Sequence, residues 1–420
     1  MGTLSGSLQA FSGIIVFVLF AWLISENRRK VNPVQIVTGL LIQAALAFVV
    51  LKVDVIRDVF MVAGNAIDSL KEATCEGTKF VFGYLGGGDC PFVLKENMSP
   101  FIFAFQPLPM VMVVSALSML LFHWKLLPVL VKAFSFALKR GLRIGGALGV
   151  CCAAKVFLGQ TEAPLLIRPY LNKISRSELF TVMTAGMATT SATIMVLYGT
   201  ILEGTIANPI SHILTASIIS IPAAIVVSRI MVPQVGEDTN GDLVLPYEFS
   251  GSMDAVSRGA SDGLKMFLNI IAMLVVMMAL VKLIDLILGL FPGVGGESLS
   301  LQRILGYIFA PVTWLMGVSW DNATVAGNLL GTKTALNEVV AFIGLSKLPA
   351  TALDATSKVI MTYALCGFAN FSSIGIQIGT FSTLAPERRE EVISLGFRAL
   401  IAGTLSSCLS GTIVGILSNF

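Results

Sequence analysis

Two carboxylates stand where an apolar chain has little use for them. Gly159-Gln160-Thr161-Glu162-Ala163-Pro164 and Asn337-Glu338-Val339-Val340-Ala341 each set an acid inside an otherwise apolar segment, about 145–175 and 320–348. An ionised side chain at the centre of a bilayer costs about 2.5–3.5 kcal/mol on insertion scales, so such groups pair with something and mark sites by default. Glu162 has an amide, a hydroxyl and a chain-breaking proline beside it. A carboxylate can accept hydrogen bonds from two hydroxyls at once, which suits a vicinal diol. Beyond each acid, by about 30 residues, lies a stretch of small and polar residues of the kind that unwinds a helix locally: Ala188-Thr189-Thr190-Ser191-Ala192-Thr193, then Gly367-Phe368-Ala369-Asn370-Phe371-Ser372-Ser373. Asn370 and Ser373, three apart, project to similar faces, and Phe368 offers an apolar surface to a ring. The chemistry this set supports is binding of a polar, uncharged, ring-bearing solute. Against it stand a structural ion pair for each acid and plain packing for Phe368.

The elements that position these residues must be membrane helices. Of 420 residues, 55% are hydrophobic and 13% charged, with mean hydropathy +0.84, far beyond what a water-soluble core requires. Crossing the hydrocarbon takes about 20 apolar residues. Eight crossings are expected, near 4–25, 33–53, 100–123, 178–202, 209–231, 265–290, 357–384 and 392–418. The first has no basic flank and no small-residue cleavage site ahead of Glu26-Asn27-Arg28-Arg29-Lys30, so it is expected to be retained. Arg28, Arg29 and Lys30, the cations of 125–143, Arg168, Lys173 and Arg176, and Arg388 and Arg389 fall on alternate loops. Those loops are expected to be cytoplasmic, with both termini outside. Segment 125–143 places Leu and Val on one face and Lys on another in the manner of an interfacial helix, and 54–73 and 251–265 are expected to resemble it. A net charge of +3 without a basic block gives no reason to expect a nucleic-acid partner.

The acid-bearing segments are too short for two crossings, and one crossing each would break the charge alternation. Each is expected to be a re-entrant hairpin with its acid near the tip, sheltered by protein. The expected fold is an all-α polytopic membrane protein with eight transmembrane helices, two re-entrant hairpins, interfacial helices and broken helices, forming a single membrane domain over 1–420 with scaffold spans and an interfacial helix in 1–123. The order span, interfacial helix, hairpin, broken span, span occurs in 100–231 and again in 265–418. An odd number of crossings per unit inverts the second copy, and inverted repeats with broken helices meeting at mid-membrane are the architecture of secondary transporters. Cys75 and Cys90 share one expected outside loop, where a disulfide is conceivable, whereas Cys151, Cys152, Cys366 and Cys408 fall in apolar segments. No cysteine has metal-ligand spacing, and no cofactor is expected.

Phe157-Leu158-Gly159-Gln160-Thr161-Glu162-Ala163-Pro164-Leu165, Asn337-Glu338-Val339-Val340-Ala341 and Cys366-Gly367-Phe368-Ala369-Asn370-Phe371-Ser372-Ser373-Ile374 together resemble the signatures of the concentrative nucleoside transporter family, and the resemblance extends over nearly the whole chain. It implies a homotrimer in the plasma membrane (the inner membrane of a bacterium), with a rigid scaffold around a moving transport domain. It implies that the base of a uridine-like nucleoside is held by Gln160, Thr161, Glu162 and Ile194. The ribose would be held by Glu338, Phe368, Asn370 and Ser373. In sodium-coupled members an Asn seven residues before the first motif acid binds the ion, with a carbonyl that corresponds to Leu158 and groups that correspond to Thr189 and Thr190. Here that position is Lys155. An ammonium would repel sodium and could occupy its site. Burial disfavours the charged amine, which makes Lys155 a candidate proton carrier, unless it snorkels to the cytoplasmic interface.

The expected function is therefore a nucleoside symporter, a secondary transporter coupled to H+ or Na+, with H+ favoured by Lys155. The rivals are an intramembrane enzyme using Glu162 and Glu338 as an acid/base pair, and a channel. The first lacks any GxSxG, HExxH or Cys/His arrangement; the second calls for a continuous polar stripe instead of a cluster at mid-membrane.

Overall fold

The computed structural model describes residues 2–53, 69–92, 100–244, 248–293 and 298–418, and the regular structure among these residues is helical, with no strand among them. The sequence caps its own helices. After α1 (Gly2–Leu23), Asn32 accepts hydrogen bonds from the amides of Val34 and Gln35 and starts α2 (Pro33–Lys52). A further helix covers 69–82. The first acid-bearing unit is preceded by α3 (Met110–His123) and α4 (Leu126–Leu142), and consists of α5 (Gly146–Ala154), a turn, and a 3-10 helix (Ala163–Tyr170). Next come α6 (Arg176–Ala188), entered through a Ser175/Glu178 capping box, α7 (Ala192–Ile201) and α8 (Pro209–Met231).

The second half follows the same plan. It runs through α9 (Ser252–Leu288), α10 (Leu301–Leu315), α11 (Trp320–Ala335), α12 (Glu338–Lys347), α13 (Ala355–Leu365), α14 (Phe371–Leu384) and α15 (Arg389–Ser418). Here Asn337, Asp354 and Asn370 cap α12, α13 and α14, each accepting from the backbone amide three residues on. A capping side chain removes one orphan amide and so permits a helix to restart immediately after a break.

The core is built on α6, α8 and α15, whose middle residues are almost wholly buried and which pack on one another. At the other extreme, α9 buries little beyond a four-residue stripe, Ala255, Gly259, Gly263 and Phe267. A Cβ on Gly259 would meet Ala116 Cα at 2.6 Å, and one on Gly263 would meet Met112 Cα at 2.6 Å, so α9 lies backbone to backbone on α3. Many of the other apolar side chains of α9, Leu264, Leu268, Val275, Val276 and Leu280 among them, are exposed, as on a helix facing lipid or another subunit.

Six of the described helical stretches are long and apolar enough to cross a membrane: 6–23, 33–52, 176–201, 209–231, 252–288 and 386–418. Two bent pairs, α3 with α4 (78°) and α10 with α11 (119°), bring the number to eight if each pair counts as one span. Several expectations change in detail. The crossing expected at 100–123 is helical only from Met110. Residues 251–265 do not form a separate interfacial helix but the first turns of α9, because Gly259 and Gly263 pack on α3 and nothing interrupts the helix. Helix α10 was not expected; it fell between two assigned segments. The crossing at 357–384, expected to be broken by its small and polar residues, is two helices, α13 and α14, with the break at 366–370. Helix α4 matches the amphipathic segment, burying Leu127, Val131, Ser135, Leu138 and Leu142 along one face between left-handed Lys125 and Arg143. Of the expected helix 54–73, residues 54–68 lie outside the described residues. Cys75 and Cys90 carry free thiols.

Candidate functional site

Both broken segments, and both acids, meet in one place. The first break, Thr189 to Ser191, ends α6 and starts α7; the second, Cys366 to Asn370, ends α13 and starts α14. They touch at Gly367, whose missing side chain decides the contact: a Cβ there would stand 2.8 Å from Ala188 O and 3.0 Å from Met187 O. Only glycine lets two unwound backbones approach this closely.

Glu338 is the first residue of α12, where free amides and the helix dipole favour a carboxylate. It is 5% exposed. Tyr198 Oη donates to its Oε1 at 2.7 Å and Asn370 Nδ2 donates to its Oε2 at 2.9 Å. Asn370 is itself held: its Oδ1 accepts from Ser373 N at 2.9 Å, as the cap of α14, and from Ser372 Oγ at 2.7 Å. The projection of Asn370 and Ser373 to one side, expected from helical spacing, thus arises from an N-cap and its N3 residue.

Glu162 follows the tight turn after α5, and its Oε2 accepts from Gly159 N at 3.0 Å. Gln160 is 7% exposed and donates through Nε2 to Ser373 Oγ at 3.4 Å, tying the first acid-bearing unit to α14. Gln377, one turn further along α14, donates to Met183 O at 2.9 Å and approaches Gln160 Oε1 at 3.5 Å.

These groups line a cavity of about 400 Å³, within the range of pockets that take a small organic ligand. All eight residues expected to bind substrate reach it: Gln160, Thr161, Glu162, Ile194, Glu338, Phe368, Asn370 and Ser373. The opposite wall is α9, through Asp262, Lys265, Asn269 and Met273, which share one helical face. The cavity therefore offers two acids, amides and hydroxyls on one side and apolar surface from Phe368, Ile194 and Met273 around them.

The expected ion-coupling residues are only partly gathered. Lys155 does not snorkel: it is 1% exposed, and its Nζ donates to Gln160 O at 3.0 Å. That nitrogen lies 2.9 Å from where a Cβ on Gly186 would sit, against the last turns of α6. Thr189 Oγ1 is committed to Ala185 O at 2.8 Å and Thr190 Oγ1 to Ser217 Oγ at 2.9 Å. Leu158, partly buried, closes the turn by donating its amide to Ala154 O at 2.8 Å. Among the described residues no group of three or more His, Cys, Asp or Glu is placed to hold a metal.

Several residues of the site carried weak signals or none. A second buried lysine, Lys333, stands five residues before Glu338 and donates to Ala364 O at 2.8 Å and Ser407 Oγ at 3.3 Å, again at the C-terminal end of a broken helix. Its signal was a lone cation in an apolar run. Tyr198 had the same kind of signal, a phenol inside an apolar span whose hydroxyl needs a partner once buried. Asn269 is a lone amide in the apolar part of α9. Asp262 and Lys265 gave no sign of facing a cavity.

Comparison with known proteins agrees with this arrangement. Residues 212–415 match the family model for the Na+ dependent nucleoside transporter C-terminus, 12–85 that for its N-terminus, and 104–204 that for nucleoside recognition (Gate). The chain is 35% identical to YutK of Bacillus subtilis, an uncharacterized transporter, over 97% of this chain and 99% of YutK. It is 33% identical to the nucleoside permease NupC of Helicobacter pylori, over 98% and 97%. The solved structure of CNTnw in an inward-facing substrate-bound state superposes with a TM-score of 0.88 at 33% identity, covering 98% of this chain and 99% of that one. With motifs, fold and relatives in agreement over its whole length, the chain belongs to the concentrative nucleoside transporter family, whose members are multi-pass membrane transporters and not enzymes.

Proposed function

We propose that this protein imports a uridine-like nucleoside by alternating access, as a homotrimer in the plasma membrane with both termini outside, and that its coupling ion is H+ in preference to Na+. The observation that carries the substrate reading is the convergence of two acids, two amides and a phenyl ring from three separate breaks on one cavity of about 400 Å³. Glu338 would accept the ribose hydroxyls, with Asn370, Ser373 and Phe368 beside it. Gln160, Thr161, Glu162 and Ile194 would face the base. Substrate bound between α12, α14 and the first acid-bearing unit would favour the closed form by its differential affinity for that form.

The coupling reading rests on Lys155. Its amine occupies the ground between Gln160 O and the end of α6. A lysine placed there supplies its own cation to the C-terminal end of a helix, and a proton gained or lost at Nζ would replace binding and release of a metal cation. The test is radiolabelled uridine uptake into proteoliposomes with the sodium and pH gradients imposed separately, in wild type and Lys155→Asn. Uptake driven by the pH gradient alone, with sodium dependence appearing in the variant, is the expected result. Sodium-driven uptake in wild type would overturn the role of Lys155 and leave the carrier reading standing. No saturable uptake of any nucleoside under either gradient would overturn the carrier reading itself.

A further inference from the structure

Tyr198 lines no part of the cavity, yet it controls the group there with the most defined geometry. It is fully buried on α7, in the first half of the chain, and its hydroxyl crosses to Glu338 in the second half, 140 residues away, at 2.7 Å. Its ring packs on Phe342 with centroids 4.7 Å apart and planes inclined by 36°. Phe342 lies one turn beyond Glu338 on α12, so the phenol is clamped to the same helix whose first residue it orients.

The distribution of donors on Glu338 gives this a consequence. Each carboxylate oxygen offers two lone-pair positions. Tyr198 takes one on Oε1, Asn370 takes one on Oε2, and the carboxylate lies against the cavity. Two side-chain anchors, one per oxygen and from different helices, fix the rotation of the carboxylate plane, and its remaining lone-pair capacity can accept hydroxyls from the cavity. That is the geometry for a vicinal diol, two donors on adjacent carbons meeting two acceptors on one carboxylate. With one anchor removed the plane can turn about its remaining bond, and the second hydroxyl loses its partner.

We propose that Tyr198 is the positioning residue that makes this site selective for an intact ribose diol over sugars lacking one of its hydroxyls. The proposal rests on the nucleoside reading above. A hydrogen bond to a charged group is worth about 1.5–3 kcal/mol, which converts to roughly tenfold or more in affinity.

Tyr198→Phe keeps the ring on Phe342 and removes only the hydroxyl. The experiment compares uridine with its 2′-deoxy and 3′-deoxy analogues in wild type and Tyr198→Phe, by saturation uptake into proteoliposomes. Equilibrium binding of the same three ligands to detergent-purified protein gives Kd independently of turnover, and a thermal melt shows that the variant is folded. Wild type should prefer uridine. In Tyr198→Phe the KM and Kd for uridine should rise by about tenfold. The maximal rate should stay within about twofold and the values for at least one deoxy analogue should scarcely move, so that the preference collapses. A parallel rise for all three ligands, or an unchanged preference in a folded variant, overturns the proposal, because a purely structural role weakens every ligand alike. So does a wild type that transports uridine and both deoxy analogues equally. Absence of saturable nucleoside uptake and binding in wild type defeats the nucleoside reading instead, and the two failures are told apart by the wild-type arm alone.

Discussion

Asn370 performs two tasks with the two ends of one amide, and a pair of substitutions separates them. Its Oδ1 caps α14 by accepting from Ser373 N at 2.9 Å, and its Nδ2 donates to Glu338 Oε2 at 2.9 Å. The residue is 2% exposed, so water cannot easily take over either bond. Loss of an N-cap to alanine costs about 1 kcal/mol, and loss of a hydrogen bond to a charged group about 1.5–3 kcal/mol. Asn370→Ala loses both, about 2.5–4 kcal/mol in all. Asn370→Ser loses the donor to Glu338 but keeps a side-chain oxygen that can cap, about 1.5–3 kcal/mol. Saturation uptake in proteoliposomes should show KM for uridine raised by roughly tenfold or more in both variants. Thermal melting in detergent should order them wild type, serine, alanine. A serine variant with the wild-type KM would refute the claim that the Asn370 amide organises the carboxylate. Serine and alanine variants melting together would refute the cap.

Two further perturbations probe the frame around the site. Arg229 is nearly buried at the end of α8 and pairs with Asp238 at 2.8 Å, while Asp238 also accepts from Gly145 N at 3.0 Å at the entry to α5. The strap that follows α8 is tied across the first acid-bearing unit by Thr239 N to Glu178 Oε1 at 2.8 Å and Val244 N to Leu166 O at 3.1 Å. Arg229→Met strands the carboxylate and should destabilise the protein by about 3 kcal/mol, more than Asp238→Asn, as read by thermal melting; equal melting of Arg229→Met and wild type would remove the strap from the account. Glu26, between α1 and α2, has its carboxyl held below the usual range by the Arg176 guanidinium that hydrogen-bonds it, with the charge of Arg398 helping and partial burial opposing. Because the folded value lies below the unfolded one, this stabilisation is present above the unfolded carboxylate value, about 4.3, and is lost as pH falls through the depressed folded value. Glu26 is 28% exposed and both arginines 41%, which limits the effect to under about 1 kcal/mol. The melting difference between wild type and Glu26→Gln should shrink on acidification; a difference independent of pH would contradict the sign.

What local chemistry encodes was legible in the sequence. Apolar length specifies membrane helices, because a bilayer satisfies no backbone polar group. The acids at 162 and 338 mark the site because an unpaired charge in lipid costs too much to keep without a use. The polar breaks around 189 and 370 announce unwound helices, and the repeat of element order follows from reading the two halves side by side. Each of these properties is carried by neighbours in the chain. The tertiary structure decided what depends on packing between distant elements. Periodicity could not say that 251–265 continues into α9, where Gly259 and Gly263 lie against the backbone of α3. Nor could it place Asp262, Lys265 and Asn269 on the cavity wall, bring Gly367 against Ala188, or bury Lys155 against Gln160 O. Nor does its place in an apolar span say what Tyr198 bonds; the fold sets its hydroxyl on Glu338. A sequence lists its polar groups and the penalty for burying each; which donor meets which acceptor across 140 or more residues is settled only when the helices pack.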